Sequence, residues 1–95
     1  MSDTHSMVTA EVPIVNKRGL HARASAKFVS AVVPMEGVQV SVAKDGQDAA
    51  GGSILGLMML GAAMDDTITI SVTGADAVAR LAELVELVAT GFGEN

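Results

Sequence analysis

The feature that most constrains the fold is the alternation between segments of strand period and segments of helix period. The segment 67–72, TITISV, alternates apolar and polar residues and is the clearest strand. The segments 8–15 (VTAEVPIV) and 38–42 (VQVSV) alternate in the same way, and Pro13 places the first of them at a sheet edge or at the strand's end. A weaker strand at 48–50 follows the turn signal KDGQ, which indicates a hairpin.

Three segments with helical character separate or follow these strands. In the segment 22–33, apolar residues recur at helical spacing until Pro34, which ends the helix. A short helix is expected over 54–60, because Ser53 is a suitable N-cap. A last helix is expected over about 75–89, where an apolar stripe faces one way and the charged residues face the other.

The resulting element order, β-α-β-β-α-β-α, predicts an α+β fold. We expect an open-faced β-sandwich, in which a four-stranded antiparallel sheet carries three helices on one face. The other face carries Thr, Ser and Gln and can contact water. The length suits a single domain over 8–95, preceded by a flexible tail over 1–7.

Composition narrows the classes of function. A net charge of −5 argues against general nucleic-acid binding. The most apolar run, SILGLMMLGAAM, is well short of the roughly 20 residues that cross a bilayer, and the beginning of the chain lacks a signal-peptide pattern. With no cysteine and only two histidines, no metal site is expected, and no cofactor motif is found. These features predict a cytoplasmic protein that acts without metal or cofactor, and we expect it to be a monomer.

The basic charge is concentrated in one segment. NKRGLHARASAKF, residues 16–28, holds four of the six basic residues and no acid. His21 is predicted to be the N-cap of the first helix or its neighbour, and the backbone N–H groups of Ala22, Arg23 and Ala24 then favour an anion. A histidine can be a covalent nucleophile, and a phosphoryl group on it would be such an anion. By spacing alone, a surface or capping histidine is the more common interpretation.

Two motifs resemble one known family. GLHARASAKFV resembles the active-site segment of HPr, the histidine phosphocarrier of the bacterial phosphoenolpyruvate-dependent phosphotransferase system. GGSILGLMMLG resembles that family's regulatory serine and short helix, in a form similar to the nitrogen-related branch and to proteobacterial forms that lack a full sugar-transport set. The resemblance implies that His21 is phosphorylated on Nδ1, that Arg23 is the active-site arginine and that Ser53 is a regulatory site. Ala24 stands where the family usually has proline.

The resemblance also implies partners. It implies a carrier, not an enzyme, that takes a phosphoryl group from enzyme I and gives it to an enzyme IIA protein, in sugar transport or in regulation. It further implies that an HPr kinase/phosphorylase can modify Ser53. The second helix is too short to bury all its sides, so an exposed docking surface is expected there and near the first helix. The expected docking residues are Leu20, Lys27, Leu55, Gly56, Met58 and Met59.

A second function remains open at this point. The chain could be a regulatory binding module whose switch is phosphorylation of Ser53 and whose histidine is idle. A less favoured alternative to docking is that Met58 and Met59 fill gaps in a core that has few aromatic side chains.

Overall fold

The computed structural model describes residues 7–94 and has the predicted element order, with one short 3₁₀ turn added at the end. The four strands are β1 Met7–Pro13, β2 Val38–Lys44, β3 Gln47–Ala50 and β4 Thr67–Gly74. The helices are α1 Ala22–Val32, α2 Ile54–Met59 and α3 Ala77–Ala89, and the 3₁₀ turn is Gly91–Gly93.

All strand pairs are antiparallel, and the sheet order is β1-β4-β2-β3. The central strand β4 pairs with β1 on one side and with β2 on the other, so the first and last strands of the chain become neighbours. β2 and β3 form the hairpin that the turn signal predicted. The open-faced α+β sandwich predicted from the sequence is confirmed.

The core is aliphatic and lies between the inner face of the sheet and the helices. Alternate residues of β2 and β4 point inward, and α1, α2 and α3 each add buried side chains to the same cluster. Both phenylalanines, Phe28 of α1 and Phe92 of the 3₁₀ turn, are fully buried in it. The core side chains from sheet and helices are Val40, Val42, Ile68, Ile70, Val72, Ala24, Phe28, Leu57, Leu84 and Val88.

Several boundaries differ from the sequence prediction. Met7, assigned to the tail, is the first residue of β1 and pairs with Thr73, because β4 extends to Gly74. Asp76 adopts a left-handed backbone, so α3 begins at Ala77 and not near 75. The rest of the predicted tail, 1–6, lies outside the described residues. Between residues 7 and 94, none of the helices has both the length and the apolar character of a membrane-spanning segment.

A tight turn before α1 sets the position of the helix start. Gly19 has φ +63, and a Cβ atom there would lie 2.2 Å from the Ala62 carbonyl oxygen. Only a glycine permits this close approach, and it lets the Leu20 N–H donate to Ala62 O at 2.9 Å. The Asn16 side chain donates to Gly19 O at 2.9 Å and closes the turn from inside. The turn therefore fixes where His21 enters α1.

Candidate functional site

His21 is the N-cap of α1, which confirms the position predicted for it. Its backbone is extended, with φ −73 and ψ −179, and its carbonyl accepts the first helical hydrogen bond, from Ser25 N–H at 2.9 Å. Its Nδ1 accepts a hydrogen bond from the Arg23 N–H at 3.2 Å. Nδ1 therefore lies at the positive end of the helix, where the first N–H groups lack helical acceptors.

This contact, together with the partner of Nε2, indicates the tautomer of the neutral ring. A backbone N–H can only donate, so Nδ1 must be the acceptor nitrogen and the proton must be on Nε2. Nε2 lies 2.6 Å from Oε2 of Glu94, and the side chains of the pair are only 21% and 18% exposed. The Nε2–H group therefore donates to a carboxylate, and the lone pair of the ring is on Nδ1.

Glu94 is a site residue that the sequence analysis missed. It is brought to His21 by residues 91–94, here called the 91–94 turn, in which Gly91, Phe92 and Gly93 all have positive φ, at 68, 58 and 74. The buried Phe92 ring anchors this turn, and Lys27 Nζ donates to Phe92 O at 2.7 Å. The run Gly-Phe-Gly after a helix was the only local signal that the chain reverses here.

The Glu94 carboxylate is held by more than one donor. Asn16 Nδ2 donates to Oε1 at 3.0 Å, while His21 binds Oε2. Burial by itself would raise the pKa of the Glu94 carboxyl. The hydrogen bonds from His21 and Asn16, the charge of His21 when its ring is protonated and the charge of Lys27 together hold this pKa below its usual value. Glu94 is therefore ionised at neutral pH and can retain the proton on Nε2.

The basic residues around His21 fall into two groups. Lys27 is exposed along its stem but uses its ammonium group on Phe92 O, so it ties α1 to the 91–94 turn. Lys17, Arg18 and Arg23 are exposed and belong to none of the ion pairs found between residues 7 and 94. The charge of Arg23, two residues from His21 on the first turn of α1, is thus available to an incoming anion.

The predicted backbone donors occupy the first turn of α1. The Arg23 N–H already points at Nδ1, whereas the N–H groups of Ala22 and Ala24 lie at positions where a helix supplies no acceptor. The Ala24 side chain is fully buried in the core, so this residue also helps to attach the helix start to the sheet.

Ser53 is the N-cap of α2. Its Oγ accepts a hydrogen bond from the Gly56 N–H at 2.9 Å, and its own N–H donates to Ala50 O at 3.1 Å. The side chain is half-buried, with its oxygen at the start of a helix. The capping role is therefore observed, and a phosphate on this oxygen would adjoin the first N–H groups of α2.

Four of the six predicted docking residues are exposed, whereas Gly56 is half-buried and Leu20 is buried. Four side chains of α2, here called the α2 patch, are exposed around the buried Leu57; they are Ile54, Leu55, Met58 and Met59. Leu55 and Met59 are the most open, at 67% and 72%. Gly56, in the same helix, is half-buried and lies close to the Ser53 side chain. Met58 and Met59 are thus not core fillers.

The prediction that Leu20 is an exposed docking residue is wrong. Leu20 is only 4% exposed and belongs to the core cluster. The reason is the left-handed turn at Gly19. After this turn the Leu20 N–H donates a hydrogen bond to Ala62 O, and the Leu20 side chain packs among core residues. The neighbouring His21, not Leu20, faces the site.

Comparisons with known proteins agree with this arrangement. Residues 8–90 match the family model described as the PTS HPr component phosphorylation site. The phosphocarrier protein HPr of Cupriavidus necator is 38% identical over 89 residues, which cover 94% of this chain and 99% of that protein. The phosphocarrier protein NPr of Shewanella violacea is 39% identical over 84 residues, which cover 88% of this chain and 91% of that protein. Relatives with either name match almost equally, so identity does not favour the nitrogen-related branch.

A solved HPr structure has the same fold as this chain. The crystal structure of HPr-C-His from Thermoanaerobacter tengcongensis superposes with a TM-score of 0.86 at 34% identity, covering 93% of this chain and 98% of that one. Sequence and structure therefore match over nearly the whole length, and the chain belongs to the HPr family of phosphocarrier proteins of the phosphotransferase system.

Proposed function

We propose that His21 accepts a phosphoryl group on Nδ1 from phosphorylated enzyme I and passes it to an enzyme IIA protein. The observation that carries this proposal is that the two nitrogens of the ring have different partners. Nε2 donates to Glu94, while Nδ1 keeps its lone pair and meets only a backbone N–H at the start of α1. The nucleophilic nitrogen is thus the one that lies at the anion-favouring end of the helix.

The transfer step follows from this geometry. The Nδ1 lone pair attacks phosphorus, a bond between Nδ1 and phosphorus forms, and the bond between phosphorus and the donor breaks with its electron pair leaving on the donor. The phosphoryl oxygens then replace Nδ1 as acceptors for the Arg23 N–H and can also accept from the N–H groups of Ala22 and Ala24. The Arg23 guanidinium supplies a positive charge to the oxygens during transfer.

A carrier must also release the group that it accepts. A single arginine and a few backbone N–H groups make a modest anion site, and the Glu94 carboxylate on the other side of the ring adds no attraction for phosphate. We therefore assign the chain as a phosphoryl carrier, not as an enzyme, with the donor and the acceptor proteins supplying the remaining chemistry.

Replacing Arg23 by alanine should slow phosphoryl transfer far more than it lowers stability. We expect transfer from enzyme I to slow by roughly tenfold to a hundredfold, the value of a charge-assisted hydrogen bond. Because Arg23 is exposed, the free energy of unfolding should change by under about 0.5 kcal/mol. Rapid-quench kinetics and thermal melting measure the two effects, and Arg18→Ala, which removes the same charge from the preceding turn, is the control. Equal rates for wild type and Arg23→Ala would rule out this role.

The α2 patch is the surface that we assign to docking, together with the exposed stem of Lys27. It is apolar and rich in methionine, which suits a surface that contacts more than one partner. Ser53 lies at its edge, as the cap of the same helix, so a phosphate added there by an HPr kinase/phosphorylase would put charge beside the apolar contact.

Replacing Ser53 by aspartate should weaken binding to enzyme I without unfolding α2. Aspartate is as good an N-cap as serine, so the Gly56 N–H keeps its acceptor. The added charge would disturb the docking surface, and calorimetry at low salt should show a lower affinity. Thr9→Asp, an exposed substitution on the outer face of the sheet, adds the same charge away from α2 and should bind as wild type does. Identical affinities for all three proteins would contradict a regulatory role for Ser53.

The alternative function is a binding module that Ser53 phosphorylation switches while His21 stays unmodified. The exposed α2 patch beside Ser53 is the observation that favours it. Acid treatment separates the two functions, because phosphohistidine is lost in acid whereas phosphoserine survives.

A further inference from the structure

The ring of His21 has one partner that the transfer step does not use, the carboxylate of Glu94. We propose that Glu94 is a positioning residue that keeps the ring proton on Nε2 throughout the phosphoryl-transfer cycle. This inference rests on the proposed function of His21, and it assigns to the 91–94 turn a role in the chemistry of the site. It is carried by the short 2.6 Å contact from Nε2 to Oε2 and by the scaffold that holds the carboxylate.

The proton on Nε2 determines how the ring accepts and releases phosphate. When Nδ1 attacks, its lone pair becomes the bond to phosphorus, the donor leaves with the electron pair of the broken bond, and the ring becomes cationic with Nε2–H still in place. The Glu94 carboxylate then faces a positive ring and stabilises it. On release, the electron pair of the bond between phosphorus and Nδ1 returns to Nδ1, and the original neutral tautomer is restored.

No proton has to enter or leave the ring in either direction. If Nε2 lost its proton in the phosphorylated state, the leaving group would be an imidazolate anion, which is much poorer than neutral imidazole. If the proton were instead on Nδ1 in the unphosphorylated state, that nitrogen would have no lone pair for attack. Glu94 thus favours both half-reactions by holding a single tautomer.

The carboxylate is itself oriented by fixed donors. Asn16 donates from the same Nδ2 to Gly19 O and to Glu94 Oε1, so the Gly19 carbonyl, which can only accept, fixes the direction of the Asn16 amide. The buried Phe92 and the bond from Lys27 to its carbonyl fix the backbone of the 91–94 turn. Glu94 therefore presents an acceptor to His21 at a defined place.

Because Asn16 is a fixed donor to Glu94, two substitutions that both remove the charge of Glu94 can test the role. Glu94→Ala removes the acceptor from Nε2. Glu94→Gln keeps the shape, but the Asn16 donor must pair with the glutamine oxygen, which leaves the glutamine NH₂ facing Nε2. That NH₂ can only donate, so it favours an unprotonated Nε2 and places the proton on Nδ1. The glutamine should therefore be worse than the alanine.

The first measurement needs no partner. The ¹⁵N chemical shifts of the imidazole in the protein alone, at mildly alkaline pH where an imidazole is neutral, report which nitrogen carries the proton. We expect the Nε2–H tautomer in wild type. Glu94→Ala should show a larger share of Nδ1–H, because only the Arg23 N–H then favours an unprotonated Nδ1, and Glu94→Gln should shift further toward Nδ1–H. Glu86→Gln, an exposed substitution on α3, is the control for charge and should match wild type. A tautomer that is the same in all four proteins overturns the proposal, and melting curves show that the comparison is between folded proteins.

The second measurement uses phosphoramidate, a small-molecule phosphoryl donor, in place of enzyme I. The rate at which His21 is phosphorylated should fall in the order wild type, Glu94→Ala, Glu94→Gln, by roughly fivefold at each step, the value of one ordinary hydrogen bond. Equal rates for alanine and glutamine would overturn the positioning role. If the Glu94 variants shift the tautomer but enzyme I does not phosphorylate the wild-type protein, the proposed function is contradicted while the positioning role of Glu94 stands. The two failures are therefore distinguishable.

Discussion

Replacing His21 by alanine is expected to abolish phosphoryl acceptance from enzyme I while leaving a folded protein. Nδ1 of this ring is the nucleophile of the proposed function, and the Glu94 carboxylate beside it is already bound by the Asn16 amide. The substitution removes the cap on the Arg23 N–H, which costs about 0.5–2 kcal/mol. The bonds from Asn16 to Glu94 and from Lys27 to Phe92 do not involve the ring and should hold the 91–94 turn.

The measurement is intact mass after incubation with enzyme I and phosphoenolpyruvate, alongside circular dichroism and a melting curve. His5→Ala, which removes the chain's other histidine, is the matched control and should accept phosphate as wild type does. An acid-labile phosphate on His21→Ala would show that the acceptor is a different residue.

Replacing Gly19 by alanine should cause a large loss of stability. The backbone at Gly19 is left-handed, and the new Cβ would lie 2.2 Å from Ala62 O and 2.8 Å from Ala63 Cα. Both obstacles are backbone atoms, so the turn or the facing loop must move and the bond from Leu20 N–H to Ala62 O must lengthen or break. We expect a loss of about 2–5 kcal/mol, from the left-handed conformation and the forced contact together.

Gly61 supplies a control with nearly the same backbone. Its φ is +66, against +63 for Gly19, but a Cβ there would meet nothing within 4 Å. Gly61→Ala should therefore lose only the conformational part, about 1–2 kcal/mol. Urea unfolding of both variants gives the difference. Equal losses would mean that the contact with Ala62 relaxes freely and that the turn does not fix the start of α1.

The sequence predicted the parts of this fold that depend on local pattern. The alternation in 67–72 identified β4, the turn signal at 44–47 identified the β2–β3 hairpin, and the spacing after His21 identified α1 and its N-cap. Each of these elements is marked within a short segment by its hydrophobic period, its turn residues or its N-cap. No contact with a distant part of the chain was needed to predict it.

Two of the errors arise where distant parts of the chain meet. The pairing of Met7 with Thr73 depends on how far β4 extends, and the burial of Leu20 depends on the loop at Ala62. Neither the pairing of Met7 nor the burial of Leu20 can be inferred from the residues that adjoin it in the sequence. Local periodicity cannot supply such information, because it describes one element at a time.

Glu94 is the clearest case of a site residue that local pattern could not show. It lies 73 residues from His21 along the chain, and its segment reads as the end of a helix followed by glycines. Three successive positive φ angles, including that of the buried Phe92, return it to the start of α1. A phenylalanine with positive φ is uncommon enough that sequence alone would not propose it.

The measurement that tests the central claim most directly is the intact mass of the wild-type protein after incubation with phosphoenolpyruvate and catalytic enzyme I. The proposed function predicts a gain of one phosphoryl group that disappears after brief acid treatment, returns the original mass, and maps to His21 by fragmentation under neutral conditions. No gain of mass, with an enzyme I preparation that phosphorylates a known carrier, would contradict the claim, and so would a phosphate that survives acid.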